Sequence, residues 1–111
     1  MSKFRGLKLK DHLRDVIGKI IQKEIEFPGD VLVTVTGTEV EGRLSDAKIF
    51  ISVYPLKYGP EIVDNINKRL PYLQALLMKK LRMKPTPRIH FLLDRGEEMI
   101  SKIEKILEKD K

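Results

Sequence analysis

Cysteine and tryptophan are both absent from this 111-residue sequence. Without cysteine there is no disulfide framework, no thiolate nucleophile and no thiolate metal site. Histidine occurs only as His12 and His90, far apart and with no Asp or Glu cluster beside either, so nothing spells a metal site. No apolar run approaches the ~20 residues of a membrane span, and the N-terminal MSKFRGLKLK lacks a signal-peptide apolar core. An intracellular, cytoplasmic protein with no membrane contact is the expectation. Ser2, Ser45, Ser52 and Ser101 stand in no nucleophile elbow, and Gly37 and Gly42 form neither a Walker motif nor a dinucleotide fingerprint. The chain reads as no enzyme, with no cofactor, no metal and no small-molecule substrate.

One further absence is local. From residue 65 to residue 93 there is no Asp or Glu, while Lys68, Arg69, Lys79, Lys80, Arg82, Lys84 and Arg88 all fall there. The rest of the chain is close to neutral, so this segment supplies the formal net charge of +6. Charge concentrated in this way sets up a positive potential that phosphate groups feel. Leu70, Leu73, Leu76, Leu77 and Leu81 recur at spacings of three and four and mark one buried helix face. Lys79 and Arg82 fall opposite that face, with Lys80 on its flank. A solvated lysine face on an ordinary helix would look similar; the missing acidic partners favour a functional basic surface.

The length suits one domain, expected over 10–108, with a basic leader at 1–9 and a frayed charged end at 109–111. Leu13, Val16, Ile17, Ile20, Ile21 and Ile25 predict a helix from about Asp11 to Glu26, which the Phe27-Pro28-Gly29-Asp30 turn ends. Val31, Val33 and Val35 alternate with Leu32, Thr34 and Thr36 as a strand. After a polar loop from Gly37 to Ser45, Ala47, Ile49, Ile51 and Val53 form a second strand, expected antiparallel to the first. Pro60 opens a helix that Pro71 is expected to kink before it stops ahead of Pro85 and Pro87. Ile89–Leu93 reads as a third strand, with Phe91 in the core, His90 structural or at the surface, and Asp94 capping the following turn. A last helix is expected from about Glu97 through Leu107. The result is an α+β protein, a three-stranded sheet with helices packed on one face. Abundant Lys and Glu with only two Gln resemble the usage of heat-adapted organisms.

The order α-β-β-α-kink-α-β-α resembles the type II KH fold with its mixed sheet. Val33-Thr34-Val35-Thr36 before Val40, then Leu44 and Ala47-Lys48-Ile49, resemble the strand pair of ribosome-binding factor A. Leu81-Arg82-Met83-Lys84, then Pro87, Ile89, Phe91 and Asp94, resemble that family's later run of Leu-Arg, Pro, an apolar strand and Asp. The likeness covers most of residues 10–107. It implies a non-enzymatic assembly factor that binds the free small ribosomal subunit and its rRNA late in maturation, linked to cold adaptation and monomeric when free.

The departures are specific. No two glycines are three apart, so the Gly-x-x-Gly clamp of ordinary KH domains is missing. Where the family usually has Ala-x-Gly at its kink, this chain has Arg69-Leu70-Pro71, which makes Arg69 a candidate side-chain contact. Gln74 stands where the family often has Arg, and Arg88 where it usually has Glu. The expected rRNA-binding residues are Lys68, Arg69, Lys79, Lys80, Arg82, Lys84 and Arg88, with Arg5, Lys8 and Lys10 as possible additions. Two alternatives stay open on residues alone. One is a KH-like reader of single-stranded RNA, stacking bases on Tyr54, Tyr58 or Tyr72; the other is a protein-interaction module with a basic face.

Overall fold

Alternating β-branched residues build the centre of the molecule, because every second side chain of a strand reaches the same face. The computed structural model describes residues 2–42, 45–81 and 86–96, with residues 2–8 described in their backbone only. In chain order these form α1 (Ser2–Glu24), β1 (Leu32–Glu41), β2 (Asp46–Tyr54), a 3-10 turn (Leu56–Tyr58), α2 (Gly59–Lys68), α3 (Leu70–Leu81) and β3 (Arg88–Leu93). The sheet order is β1-β2-β3, antiparallel between β1 and β2 and parallel between β2 and β3. The expected α+β architecture with a mixed sheet is therefore observed. The last helix expected from Glu97 and the frayed end at 109–111 lie outside the described residues.

Ala47, Ile49, Ile51 and Val53 of β2 are buried, flanked by Val33 of β1 and by Ile89 and Phe91 of β3. Onto that face pack Leu13, Ile17, Ile20 and Ile21 of α1, Ile62, Val63 and Ile66 of α2, and Leu73 and Leu77 of α3. No polar side chain is buried among the described residues. The opposite sheet face carries no described helix and exposes Leu32, Tyr54 and Leu92.

Three local expectations need correction. First, α1 begins at Ser2, not near Asp11, so the backbone of the expected leader belongs to the first helix. Lys, Arg and Leu are strong helix formers, and extending a helix already anchored by packing needs no new nucleus. Second, β1 runs on to Glu41, through most of the expected loop. A register shift between Val35 and Gly37 absorbs one residue and reverses the inward parity from Val33 and Val35 to Thr38 and Val40. A fixed period of two cannot see across such a bulge. Gly42, with φ 55°, then supplies the left-handed residue at the end of the strand. Third, the helix break falls at Arg69, two residues before the expected kink at Pro71.

Gly59 shows why the first residue of α2 must be small. A Cβ there would lie 2.8 Å from both terminal carbons of Leu93 and 3.3 Å from its Cγ. Gly59→Ala is therefore expected to destabilise by about 1–2 kcal/mol through overpacking, although alanine is the better helix former. A shift in the urea midpoint at unchanged slope measures it; a gain in stability would show that Leu93 turns aside freely.

Candidate nucleic-acid interface

The segment from Ile66 to Leu81 carries most of the expected site, and its geometry starts at Arg69. With φ −100° and ψ 12°, Arg69 leaves the helical region without entering left-handed space, so no glycine is needed there. Its N–H donates to the Ile66 carbonyl at 3.0 Å, closing α2, and its own carbonyl accepts from Leu73 N–H at 3.0 Å, opening α3. Pro71 thus falls in the first turn of α3, where its missing N–H would have had no helical partner. The break rests on this one bridge-region residue, so the Arg69-Leu70-Pro71 junction needs no glycine. Both Arg69 and Pro71 are exposed.

The expected cations do not converge on one spot. Lys68 and Arg69 stand at the junction of the two helices, and the Lys68 ammonium lies 3.2 Å from Asp64, just outside the acid-free segment. Lys79 and Lys80 occupy the last turn of α3, about 15 Å further along the axis from Arg69. Both are exposed and neither forms an ion pair with a described residue; they complement the negative end of the helix dipole. Arg88 opens β3, and because Ile89 and Phe91 face the helices, its side chain is on the open sheet face, with Asp46 as its register partner on β2. Lys10 is half-buried on α1, its carbonyl accepting from the Thr38 hydroxyl at 2.9 Å. Arg82 and Lys84 lie outside the described residues, as do the side chains of Arg5 and Lys8. The structure places Lys79 and Lys80 side by side in the last turn of α3, Lys68 and Arg69 at the α2–α3 junction beyond its other end, and Arg88 apart on β3.

Two residues that the sequence reading did not credit with this role organise the site's framework. The Asn67 amide donates to the Phe91 carbonyl at 2.9 Å and accepts from the Phe91 N–H at 3.1 Å. The Gln74 amide donates to the Pro87 carbonyl at 2.9 Å and accepts from the Ile89 N–H at 3.0 Å. One amide from each helix thus clamps the free edge of β3, which would otherwise present unpaired backbone groups. The clamps also set the position of α3, and with it Lys79 and Lys80, relative to the sheet. The sequence signal was a helical Asn, a residue that prefers backbone bonds to helix interiors.

The remaining polar residues are structural or exposed. Asp94 accepts from Gly96 N–H at 2.9 Å and from the Thr36 hydroxyl at 2.8 Å, a turn cap that also ties the end of β3 to the bulge of β1. His90 and His12 are exposed. Phe91 is buried at 2% exposure, as expected. Among the described residues no three His, Asp or Glu are grouped to hold a metal ion, and no helix is long and apolar enough to cross a membrane.

Tyr72 and Lys48 carry shifted protons. The Tyr72 phenol donates to the Glu24 carboxylate at 3.0 Å, and this bond, then the negative charge, raises its pKa above the ordinary value of 10.0. The Lys48 ammonium, 2.9 Å from Glu41, is raised for the same two reasons. A folded-state value above the unfolded one gives stability that is complete below the unfolded pKa, about 10 for both groups, and is lost as pH rises through the folded value. Glu24→Gln is expected to move a tyrosinate absorbance step to lower pH and to remove this contribution near neutrality, a small loss because the pair is exposed. An unmoved step would mean the α1–α3 contact is open in solution.

The family model for ribosome-binding factor A matches residues 5–107, which contain every described element of the sheet, both helices behind it and most of α1. The chain belongs to the ribosome-binding factor A family. Ribosome-binding factor A of Pseudomonas aeruginosa is 33% identical over 113 residues, covering 96% of this chain and 88% of that protein. The family member from Natranaerobius thermophilus is 32% identical over 108 residues, covering 96% and 82%. Among solved structures, a Thermus thermophilus ribosome-binding factor A model fitted into a cryo-EM map of a 30S complex shares the fold at TM-score 0.66. Its identity is 23%, over 78% of this chain and 91% of that one. The solution structure of a Thermotoga maritima protein of the same description gives TM-score 0.60 at 23% identity, over 78% and 88%. Family and fold agree.

Proposed function

We propose that this protein is a non-enzymatic ribosome assembly factor that binds the free small subunit through its rRNA late in maturation. Membership of the ribosome-binding factor A family, over nearly the whole chain, is the observation that carries this reading. Small-subunit choice is supported by the fold relative placed in a 30S complex, and rRNA contact by the exposed cations of α3. Lys79 and Lys80, with Arg82 and Lys84 after them, form the principal phosphate contact; Lys68 and Arg69 form a second, and Arg88, Arg5, Lys8 and Lys10 are peripheral. Released counterions supply the free energy, and the shape of the fold supplies selection. The protein acts as a monomer in the cytoplasm, and growth in the cold depends on it most.

The clamped edge of β3 counts against a free-standing single-strand reader, since its outward backbone groups are largely spent on Asn67 and Gln74. Co-sedimentation with free small subunits, large subunits and whole ribosomes over a salt series tests the proposal. Selective binding to free small subunits that weakens with salt is expected. Equal binding to all particles would reduce the basic surface to nonspecific attraction, and no binding at low salt would sink the reading.

A further inference from the structure

The two edges of the sheet are treated differently. The Arg88 N–H donates to the Ser45 carbonyl at 2.9 Å and the Asp94 N–H to the Ile51 carbonyl at 2.7 Å, so odd-numbered residues of β2 serve β3. Its even-numbered residues serve β1, and their partners there are Leu32, opposite Tyr54, and Thr34, opposite Ser52. Val33 and Val35 consequently direct their N–H and C=O groups away from the sheet. The Gln22 amide, donating to the Val33 carbonyl at 3.0 Å, bears out that direction. On β3 two amides close the edge with four hydrogen bonds, whereas on this stretch of β1 one amide covers one carbonyl.

Beside that edge runs an open groove of about 790 Å³, walled on the other side by α1. Arg14, Gly18 and Gln22, one turn apart, line the helical wall, with Lys19 and Lys23 beside them. Gly18 sits inside a helix, where glycine costs roughly 1 kcal/mol against alanine, yet a Cβ there would meet nothing within 4 Å. Internal packing therefore does not require the glycine, and its effect is to leave bare helix facing the groove. Arg14 lies 3.9 Å from Asp11 and 4.0 Å from Asp15, while Lys19 and Lys23 form no ion pair with a described residue. The charged lining is Arg14, Lys19 and Lys23 against Asp15, so the groove offers strand backbone on one wall and surplus positive charge on the other.

We propose that this groove accepts an extended, acidic polypeptide segment of a partner protein as a fourth strand beside β1. Exposed sheet edges take peptides in this way, with main-chain bonds giving affinity and side chains giving selection. Both backbone groups of half-buried Val35, with the Val33 N–H at the buried end of the groove, call for a ligand with alternating donors and acceptors. A phosphate chain offers acceptors alone and would leave the Val35 carbonyl unmatched. Lys19 and Lys23 select carboxylates. The inference is independent of the ribosomal reading, and its test uses no ribosomal particle.

The test follows backbone amide resonances of the full chain during titration with an N-acetylated octapeptide of alternating Val and Glu. Its twin N-methylated at alternate residues and an octauridylate RNA serve as comparisons. The Val33 and Val35 amides are expected to shift with the peptide, and N-methylation is expected to weaken binding by about tenfold or more, as loss of one to two backbone hydrogen bonds implies. Gly18→Leu, which fills the groove, is expected to abolish the shifts, while Gly18→Ala folds and melts at a higher temperature. Should Gly18→Leu not fold, Lys19→Glu with Lys23→Glu is expected to remove binding through charge alone. Undisturbed Val33 and Val35 amides, indifference to N-methylation, or octauridylate shifting these amides at lower concentration than the peptide would each overturn the proposal.

Discussion

Asn67→Ala is expected to cost about 2–4 kcal/mol of stability, far more than its half-buried position suggests. The amide makes both an acceptor and a donor bond to Phe91, at 3.1 and 2.9 Å. Each such bond contributes a net ~0.5–1.5 kcal/mol, but truncation also strands the Phe91 N–H and C=O beside a buried ring, at about 1–3 kcal/mol for a group left without a partner. Phe91 is 2% exposed and pairs with Ile49 at the centre of the sheet, so water reaches that edge poorly. Asn67→Asp is expected to be intermediate, since a carboxylate keeps the bond from Phe91 N–H and loses the donor to the carbonyl. Urea titration of the three proteins gives the comparison; a loss below about 0.5 kcal/mol for Asn67→Ala would mean that water replaces the clamp.

The sequence made the core easy to read and the edges hard. Val33, Ile49, Ile51, Ile66, Leu73, Leu77 and Phe91 follow simple periods of two or of three and four, and all are buried. Those periods lead directly to the fold class, and the resemblance to ribosome-binding factor A follows the same positions. What periodicity misses are single-residue events. The bulge between Val35 and Gly37 resets strand parity, so Gly37 reads as the start of a loop when it lies inside a strand. Pro71 attracts the helix break because proline cannot donate in a helix interior, yet the first turn of a helix has no such bond to lose. The backbone instead turns at Arg69, a residue with no breaking tendency of its own. Asn67 and Gln74 act through tertiary bonds to strands more than a dozen residues away, and no local pattern encodes such a distance. The candidate site is legible as composition only: the acid-free run is plain in the sequence, but Asp64 sits one residue outside it and pairs with Lys68.

That pairing decides which end of α3 matters more on the proposed reading. Lys68 is already neutralised by Asp64, so an rRNA phosphate there must compete with a carboxylate, whereas Lys79 and Lys80 have no described counter-charge. Lys79→Ala with Lys80→Ala is therefore expected to weaken small-subunit binding by about 10–100-fold near 0.1 M salt and to flatten the log–log salt slope by roughly two. Lys68→Ala should weaken it by less than about threefold, since an exposed ion pair is worth about 0–1 kcal/mol and its loss leaves Asp64 solvated. Both variants should fold, because all three side chains are exposed. The two lysines also complement the C-terminal end of the helix dipole, so their removal should lower stability by up to about 1 kcal/mol, too little to depopulate a folded domain. Salt slope separates the two effects: a partly unfolded protein binds less at every salt concentration with the slope unchanged. An unchanged slope in the double variant would move the phosphate contact off α3. Equal losses from Lys68→Ala and the double variant would instead make the helix junction at Arg69 its equal partner.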